Sequence, residues 1–394
     1  MKIVDRLQNK KVMIWGYGVE GKATEEFIRT HCEVNVLEIF EGSEEEIYFS
    51  EYDYIVKSPG IPCKSSYKQL VSQTSLFLEE FRNQVIGVTG TKGKSTTSSL
   101  LYHTLEQCGK EVLLVGNIGL PCLARYDDIT KDSIIVFELS CHQLRDVTCS
   151  PHIAVYLNLY EDHLDYYGTM ESYHKAKSNI ILYQEKDDYS YVGENVPSIS
   201  AKSRVESMVY KVEELIIDVL QGEHNQYNAR VVQIMLEKHF HIAIEKSREA
   251  MNTFRGLSHR LEYIDTIEGI KYYDDSISTI CQSAIQAVES VERAGSVLIG
   301  GMDRGIDYSD LIEFMKTNET VLFICMYESG RRIYEEVREC TNVYYVEGLE
   351  EAVKLAKEVT PKGSACILSP AAASYGYFKN FEERGNCFKE LVRC

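Results

Sequence analysis

The apolar run Val85-Ile86-Gly87-Val88 ends in Gly90-Thr91-Lys92-Gly93-Lys94-Ser95-Thr96 and gives way to a helical pattern from Ser95 to about Cys108. No other segment constrains the fold as strongly. Glycines let backbone N–H groups close around an anion, and the helix start adds its dipole, so a strand, this loop and a helix together make a phosphate site. Lys94 is placed to reach outer phosphates, and Ser95 or Thr96 to offer a hydroxyl to Mg²⁺, a hard ion that prefers oxygen ligands. Further apolar runs at Val112–Val115, Ser133–Phe137 and Ile153–Leu157 predict a larger parallel sheet around this strand. One of them delivers Glu138 at its C-terminal end, facing the metal of the phosphates. The next leads into Glu161-Asp162-His163-Leu164-Asp165, acids clustered around one histidine, which reads as a second metal site. An acidic run is also commonly solvated surface, and a lone histidine commonly structural, so the pattern alone leaves both readings open.

The flanking segments look like further α/β units. Val12–Trp15, the turn Gly16-Tyr17-Gly18-Val19-Glu20-Gly21, a helix to about Arg29 and a strand Val34–Leu37 make a βαβ unit. A strand at Tyr54–Val56 then runs into the loop Ser58-Pro59-Gly60-Ile61-Pro62, the kind of strand end where ligands bind. From Gly256 onward, strands at Lys271–Tyr273, Ser296–Ile299, Val321–Ile324 and Ala365–Leu368 alternate with helices, and the same βαβ pattern is expected to restart there. At 394 residues, two or three domains are expected. No stretch approaches the roughly 20 apolar residues of a membrane helix, and the start lacks a signal-peptide core, so a cytoplasmic protein without a membrane partner is expected. The 12 cysteines are scattered with no Cys-x-x-Cys pair and read as reduced thiols. A net charge of −18 argues against a nucleic-acid partner.

Taken in order, these motifs resemble the Mur ligase superfamily over nearly the whole chain, and most closely its glutamate-adding branch. The phosphate loop resembles the family's ATP loop, and Gly116-Asn117-Ile118-Gly119 its substrate-binding turn. Glu138-Leu139-Ser140 and Glu161–Asp165 resemble its metal segments, His224-Asn225-Gln226-Tyr227-Asn228-Ala229 its adenine motif, and His259-Arg260-Leu261-Glu262 its hinge. Leu368-Ser369-Pro370-Ala371-Ala372-Ala373-Ser374 and Phe378–Asn386 resemble the ending of the glutamate-adding member. The resemblance implies three α/β domains: a Rossmann-like UDP-sugar domain over 1–83, a central P-loop ATPase-like parallel sheet over 84–256, and a Rossmann-like amino-acid domain over 257–394. It implies an ATP-dependent, ADP-forming ligase of peptidoglycan precursor synthesis, acting as a monomer on small molecules: a UDP-sugar–amino acid and glutamate. The acceptor carboxylate would take the γ-phosphate, and the amino group would displace phosphate from the acyl phosphate.

Residue by residue, the resemblance implies catalytic roles for Lys94, Glu138, His163 and Lys177. Ser95 and Glu138 would hold one Mg²⁺; His163 and a carbamylated Lys177 would hold a second. A lysine ammonium beside two Mg²⁺ would be repelled, whereas a carbamate supplies negative oxygens. ATP would meet Gly90, Thr91, Lys92, Gly93, Lys94, Ser95, Thr96, Asn225, Asn228, Arg260 and Asp275. Substrates would meet Ser58, Gly60, Asn117, Ser140, Gln143, Thr279, Arg304, Ser374 and Phe381.

The sequence departs from the family pattern twice. Asp275-Ser276-Ile277-Ser278-Thr279-Ile280 lacks a lysine usual in the amino-acid pocket, although Arg304 replaces another lysine and can grip a carboxylate. Because an Ile-bearing segment resembles a subgroup that adds L-glutamate, both enantiomers stay open, D-glutamate being favoured. In the first domain Glu38-Ile39-Phe40 removes an arginine expected near a diphosphate, while Ser58-Pro59-Gly60 is intact. A paralogous Mur-type ligase is therefore one alternative. The Gly16-x-Gly18-x-x-Gly21 turn raises a second of another class, a dinucleotide-dependent oxidoreductase, which leaves the phosphate loop without a task. A third is a non-catalytic subunit, against which the complete ATP and metal residues argue.

Overall fold

The first apolar run forms β1 (Lys11–Trp15) of a computed structural model that describes residues 2–63, 67–211, 216–217, 222–254 and 256–394. With β2 (Val36–Phe40), β3 (Tyr54–Lys57) and β4 (Leu70–Val71) it makes a parallel sheet in the order β2-β1-β3-β4. Helix Val19–His31 is the crossover, burying Phe27 and Ile28. The second strand corrects the sequence expectation. Its register pairs Lys11 with Val36 and Trp15 with Phe40, so Val34 and Asn35 precede it and Glu38 lies in mid-strand. This edge strand leaves Val36 and Ile39 exposed, and so carries no clear apolar signal.

The next sheet is built from β5 (Val85–Thr89), β6 (Val112–Gly116), β7 (Ile134–Glu138), β8 (Ile153–Tyr156), β9 (Tyr189–Gly193) and β10 (Arg204–Met208). All pairs are parallel, in the order β10-β9-β8-β5-β7-β6. Every residue of β5 is buried, which explains its unbroken apolar run. The chain steps from β7 on one side of β5 to β8 on the other, and ligands bind at the carboxyl ends of strands beside such a switch. One apolar cluster joins Ile14, Phe27 and Val56 of the first sheet's layers to Val85, Phe137 and Tyr156 of the second. These two sheets share a compact unit that runs to Ile217 and includes Glu223–Met251; Asn252–Cys394 fold in another.

That other unit holds β11 (Glu262–Ile267), β12 (Ile270–Asp274), β13 (Ala294–Ile299), β14 (Leu322–Met326), β15 (Val343–Val346) and β16 (Ala365–Leu368), in the order β11-β12-β16-β13-β14-β15. It does not open on a βαβ unit. β11 and β12 form an antiparallel hairpin closed by Glu268 and Gly269, with φ of 51° and 85°. Two left-handed residues make the tight turn whose twist suits a hairpin, and glycine takes that conformation without strain. The remaining pairs are parallel. Among the described residues, no helix is long and apolar enough to cross a membrane.

Candidate active site

β5 leads into a loop that rises over the sheet and re-enters as helix Lys94–Gln107. Gly90 and Gly93 have φ of 157° and 83°, and a Cβ on Gly93 would come within 2.8 Å of Asn228 Oδ1. The loop therefore needs glycine both for its backbone turn and to let Asn228, on helix Glu223–Phe240, lie against it. Gly93 caps the helix without a side-chain acceptor, so the first N–H groups face outward as an anion site. Lys94 Nζ donates to the carbonyls of Gly90 (3.0 Å) and Thr91 (2.9 Å), folded back over its own loop. Ser95 and Thr96 lie half-buried on the first turn.

The loop's shape is held by a residue to which the sequence reading gave no role. Asn158, buried just beyond β8, accepts through Oδ1 from the N–H groups of Thr91 (3.1 Å) and Lys92 (2.9 Å), and donates through Nδ2 to Lys92 O (3.0 Å). Its own carbonyl accepts from Thr91 N–H as well (3.0 Å). Thr91 Oγ1 in turn accepts from Tyr160 N–H at 2.9 Å. Only the position of Asn158, directly after an apolar strand at the sheet's ligand edge, could have signalled this task.

Around the loop stand the other expected groups. Glu138 ends β7 completely buried; its Oε1 accepts from Asn117 Nδ2 at 2.9 Å, whereas Oε2 has no hydrogen-bond partner. Burying a carboxylate oxygen without a partner is costly, which marks a place built for a cation. Lys177 lies on helix Met170–Leu182, only 1% exposed, and donates from Nζ to Gly90 O at 2.7 Å. Its amine is 4.9 Å from the Tyr173 ring centroid. Burial, and then the neighbouring Lys94 ammonium, push the Lys177 pKa down to about 7, against the opposing pull of Cys141, Asp162 and Glu138. The buried amine can thus be neutral near pH 7. His163 follows β8 in a left-handed turn, φ 53°, and is exposed, its ring 5.3 Å from that of His142.

The expected acceptor residues fall into two groups. Ser140 and Gln143 cap helix Cys141–Leu144 against each other, and Gln143 Nε2 also reaches Glu20 Oε1 at 2.8 Å. Ser58 Oγ donates to Gly16 O at 2.9 Å and pins the first glycine turn, while Gly60 is exposed beside it. Together they line a cleft of about 340 Å³ whose wall includes Glu20. Burial raises the pKa of that carboxyl, and its Oε2 has no partner. Glu38, which a dinucleotide site would turn toward a ribose, sits in mid-strand and accepts instead from the Tyr52 hydroxyl.

In the unit beginning at Asn252, Asp275 is buried and fully engaged: it accepts from Leu261 N–H (3.1 Å), Ser369 Oγ (2.7 Å) and Ser278 Oγ. Burial, outweighing these bonds, raises its pKa to about 6. Arg260, Thr279 and Arg304 are exposed; Ser374 is buried, and Phe381 is half-buried with its carbonyl on Ser276 Oγ (2.8 Å). Arg384, also unassigned from sequence, is wholly buried and holds this loop. Its guanidinium donates to Ser276 Oγ (3.0 Å), Ser276 O (2.7 Å) and Ala372 O (3.1 Å), and burial pulls its pKa down to about 10.

A two-glycine phosphate loop at the switch point of a parallel sheet, backed by a buried carboxylate and a buried low-pKa amine, defines a nucleotide-dependent α/β enzyme. The Mur ligase middle domain family matches residues 88–244. The chain is similar to the UDP-N-acetylmuramoylalanine–D-glutamate ligase of Koribacter versatilis, at 30% identity over 98% of each chain. It is similar also to that of Aquifex aeolicus, at 31% identity over 97% of this chain and 98% of the relative. The chain belongs to the Mur ligase family. In fold it is similar to the MurF ligase of Thermotoga maritima, solved in complex with ADP (TM-score 0.58, 14% identity, 99% of this chain and 96% of that one). The UDP-N-acetylmuramate–alanine ligase of the same organism gives TM-score 0.58 at 16% identity, covering 98% and 99%.

Proposed function

We propose that this Mur ligase uses ATP to join glutamate to UDP-N-acetylmuramoyl-L-alanine, releasing ADP and phosphate. The relatives' names supply the acceptor and favour D-glutamate. The observation that carries the chemistry is the Lys177 amine, buried on the Gly90 carbonyl with a pKa of about 7. Near neutral pH such an amine can add CO₂, replacing a repelling ammonium with a carbamate. The residues present fit Mg²⁺: Glu138 Oε2 and Ser95 offer hard oxygens to one ion, and His163 with carbamylated Lys177 would hold another. When bound, the ions offset charge on the phosphates during transfer.

The chain's own residues then act as follows. Loop N–H groups and Lys94, leaving the Gly90 and Thr91 carbonyls, hold the phosphates; Asn225, Asn228, Arg260 and Asp275 are assigned to the nucleotide, the last through the loop it organises. Ser58, Gly60, Asn117, Ser140 and Gln143 are assigned to the acceptor. Its terminal carboxylate oxygen bonds to the γ-phosphorus as ADP leaves. The glutamate nitrogen then bonds to the acyl carbon, phosphate leaves, and the amine proton passes to solvent. Thr279, Arg304, Ser374 and Phe381 are assigned to glutamate. The domain division 1–83, 84–256 and 257–394, a monomeric state and a cytoplasmic location belong to the same reading.

Phosphate release in the presence of UDP-N-acetylmuramoyl-L-alanine, compared between D- and L-glutamate, tests it. Faster turnover with D-glutamate is expected, and turnover should vanish in Lys177→Met. Inactivity with both enantiomers would remove the acceptor assignment; full activity of Lys177→Met would remove the site. A second reading, a Mur ligase with a different acceptor, is favoured by Glu20. A buried carboxyl in the cleft of the first glycine turn is an unfavourable neighbour for a diphosphate.

A further inference from the structure

Cys141 and His142 open the short helix after β7, and His163 stands at the turn after β8. The Cys141 sulfur and one imidazole nitrogen from each histidine all lie within 4.8 Å of one another. Three ligands of a tetrahedral zinc ion, with bonds of about 2.0 Å to nitrogen and 2.3 Å to sulfur, would stand roughly 3.3–3.6 Å apart. Side-chain shifts of about 1 Å would therefore close the set. We propose that Cys141, His142 and His163 form a binding site for a borderline divalent transition metal of the zinc class, with one position open to solvent.

Donor chemistry chooses the ion. A thiolate with two imidazoles suits zinc or cobalt and is wrong for Mg²⁺, which takes oxygen. The surroundings are also built for coordination. The Tyr167 hydroxyl lies 3.4 Å from His142 Nδ1, and Asp162 Oδ2 lies 3.6 Å from His163 Nε2. A hydroxyl partner can orient an imidazole ligand, while Asp162, beyond hydrogen-bond distance, adds negative charge beside the set. Tyr166 and Tyr167 wall the His142 ring at centroid distances of 4.5 and 5.5 Å. Cys141 is buried, and exposed His163 gives the ion its way in. On binding, the Cys141 thiol releases its proton to solvent, the imidazoles bind as neutral rings, and no electron moves.

The site shares His163 with the second Mg²⁺ of the proposed function, and in that one consequence it rests on that reading. One imidazole cannot be drawn into both sets, so zinc bound here withdraws a magnesium ligand and slows the ligase. The binding itself is independent of what the enzyme makes.

The full chain, freed of metal and titrated with Co²⁺, provides the test. One equivalent should give the intense visible bands of tetrahedral cobalt and a thiolate-to-cobalt charge-transfer band in the near ultraviolet, both displaced by Zn²⁺. Cys141→Ser should abolish the charge-transfer band, and His142→Phe should weaken cobalt binding at least tenfold. Circular dichroism and melting of the metal-free variants verify that they fold, and Cys141→Ala is the substitute should serine disturb the helix. A charge-transfer band that survives loss of Cys141 would place the thiolate among the other cysteines and overturn the site, as would an octahedral spectrum without thiolate. If the ligase is active, Cys141→Ser should keep its Mg²⁺-dependent turnover and lose at least tenfold in zinc sensitivity; undiminished sensitivity overturns the competition. An inactive ligase with the expected cobalt spectrum refutes the functional reading and leaves the metal site standing.

Discussion

Replacing Asn158 by alanine isolates what the nucleotide loop owes to its side-chain clamp. Thr91 N–H keeps a partner in the variant, because the Asn158 carbonyl already accepts it at 3.0 Å. The Lys92 N–H and Lys92 carbonyl lose the side-chain partners they have at 2.9 and 3.0 Å. At about 0.5–1.5 kcal/mol net for each bond, the folded loop loses about 1–3 kcal/mol relative to open conformations. Apparent affinity scales with the fraction of loop that is competent to bind, and about 1.4 kcal/mol corresponds to tenfold. Isothermal titration with ADP should therefore show an affinity lower by about 5- to 150-fold. The melting temperature should fall by about 2–4 °C per kcal/mol lost. Asn158→Asp preserves the acceptor but turns a carboxylate toward Lys92 O and the phosphates, so its ADP affinity should fall further and recover partly in salt. An alanine variant that binds ADP within about twofold of the parent would show that the loop keeps its shape without the clamp, and the reasoning would fail.

Lys94→Ala removes the loop ammonium assigned to the phosphates, and turnover should drop at least about 100-fold in a phosphate-release assay while the protein stays folded. His239 Nε2 and the Tyr191 hydroxyl share a hydrogen bond (2.8 Å), and burial, with lesser effects of Lys238 and His152, lowers the His239 pKa to about 4. Because the unfolded imidazole takes up its proton first, the stability due to neutral His239 is present above about pH 6.5 and is lost as pH falls through about 4. Discounted for its partial exposure, the effect is about 1–2 kcal/mol; melting curves between pH 7 and 4 should fall more steeply for the parent than for His239→Gln, and parallel curves would contradict it. Arg384→Met strands the Ser276 and Ala372 carbonyls and should cost the unit beginning at Asn252 about 2–6 kcal/mol in a denaturant titration. A cost below about 1 kcal/mol would refute the anchoring role. Gly385→Ala would put a Cβ 2.1 Å from His259 Nδ1 and should destabilise the same unit.

How much of this was legible in the chain depended on burial and on range. β5, buried at every position, and β13, buried on both faces past its first residue, read as continuous apolar runs and were placed from sequence. β2 and β11 were not, because each carries charges and exposed positions along an edge; β2 was shifted and β11 overlooked. The glycine loop, Glu138 and Lys177 could be singled out because their chemistry is tied to a local pattern or to a family resemblance. Asn158 and Arg384 could not: their partners lie 66 and 108 residues away, and neither the place of Asn158 after an apolar strand nor that of Arg384 within Phe378–Asn386 tells which groups they hold. The pairing of Cys141 and His142 with His163 was hidden too, because it is made from the ends of β7 and β8, which lie on either side of β5.

The placement of Arg384 also bears on how the protein is made. Ser276 and its loop follow β12, near the start of their unit, yet the guanidinium that satisfies them sits on the final helix, Phe381–Arg393. Lys389 of that helix likewise neutralises Glu262 at 2.6 Å. During synthesis, chain up to β16 can emerge and collapse, but Ser276 lacks its guanidinium partner until residue 384 has left the ribosome. Ribosome-bound intermediates stalled short of that point should expose the Ser276 loop to proteases while β5 and its loop are already protected, so the Arg384 anchor would be among the last contacts a newborn chain makes.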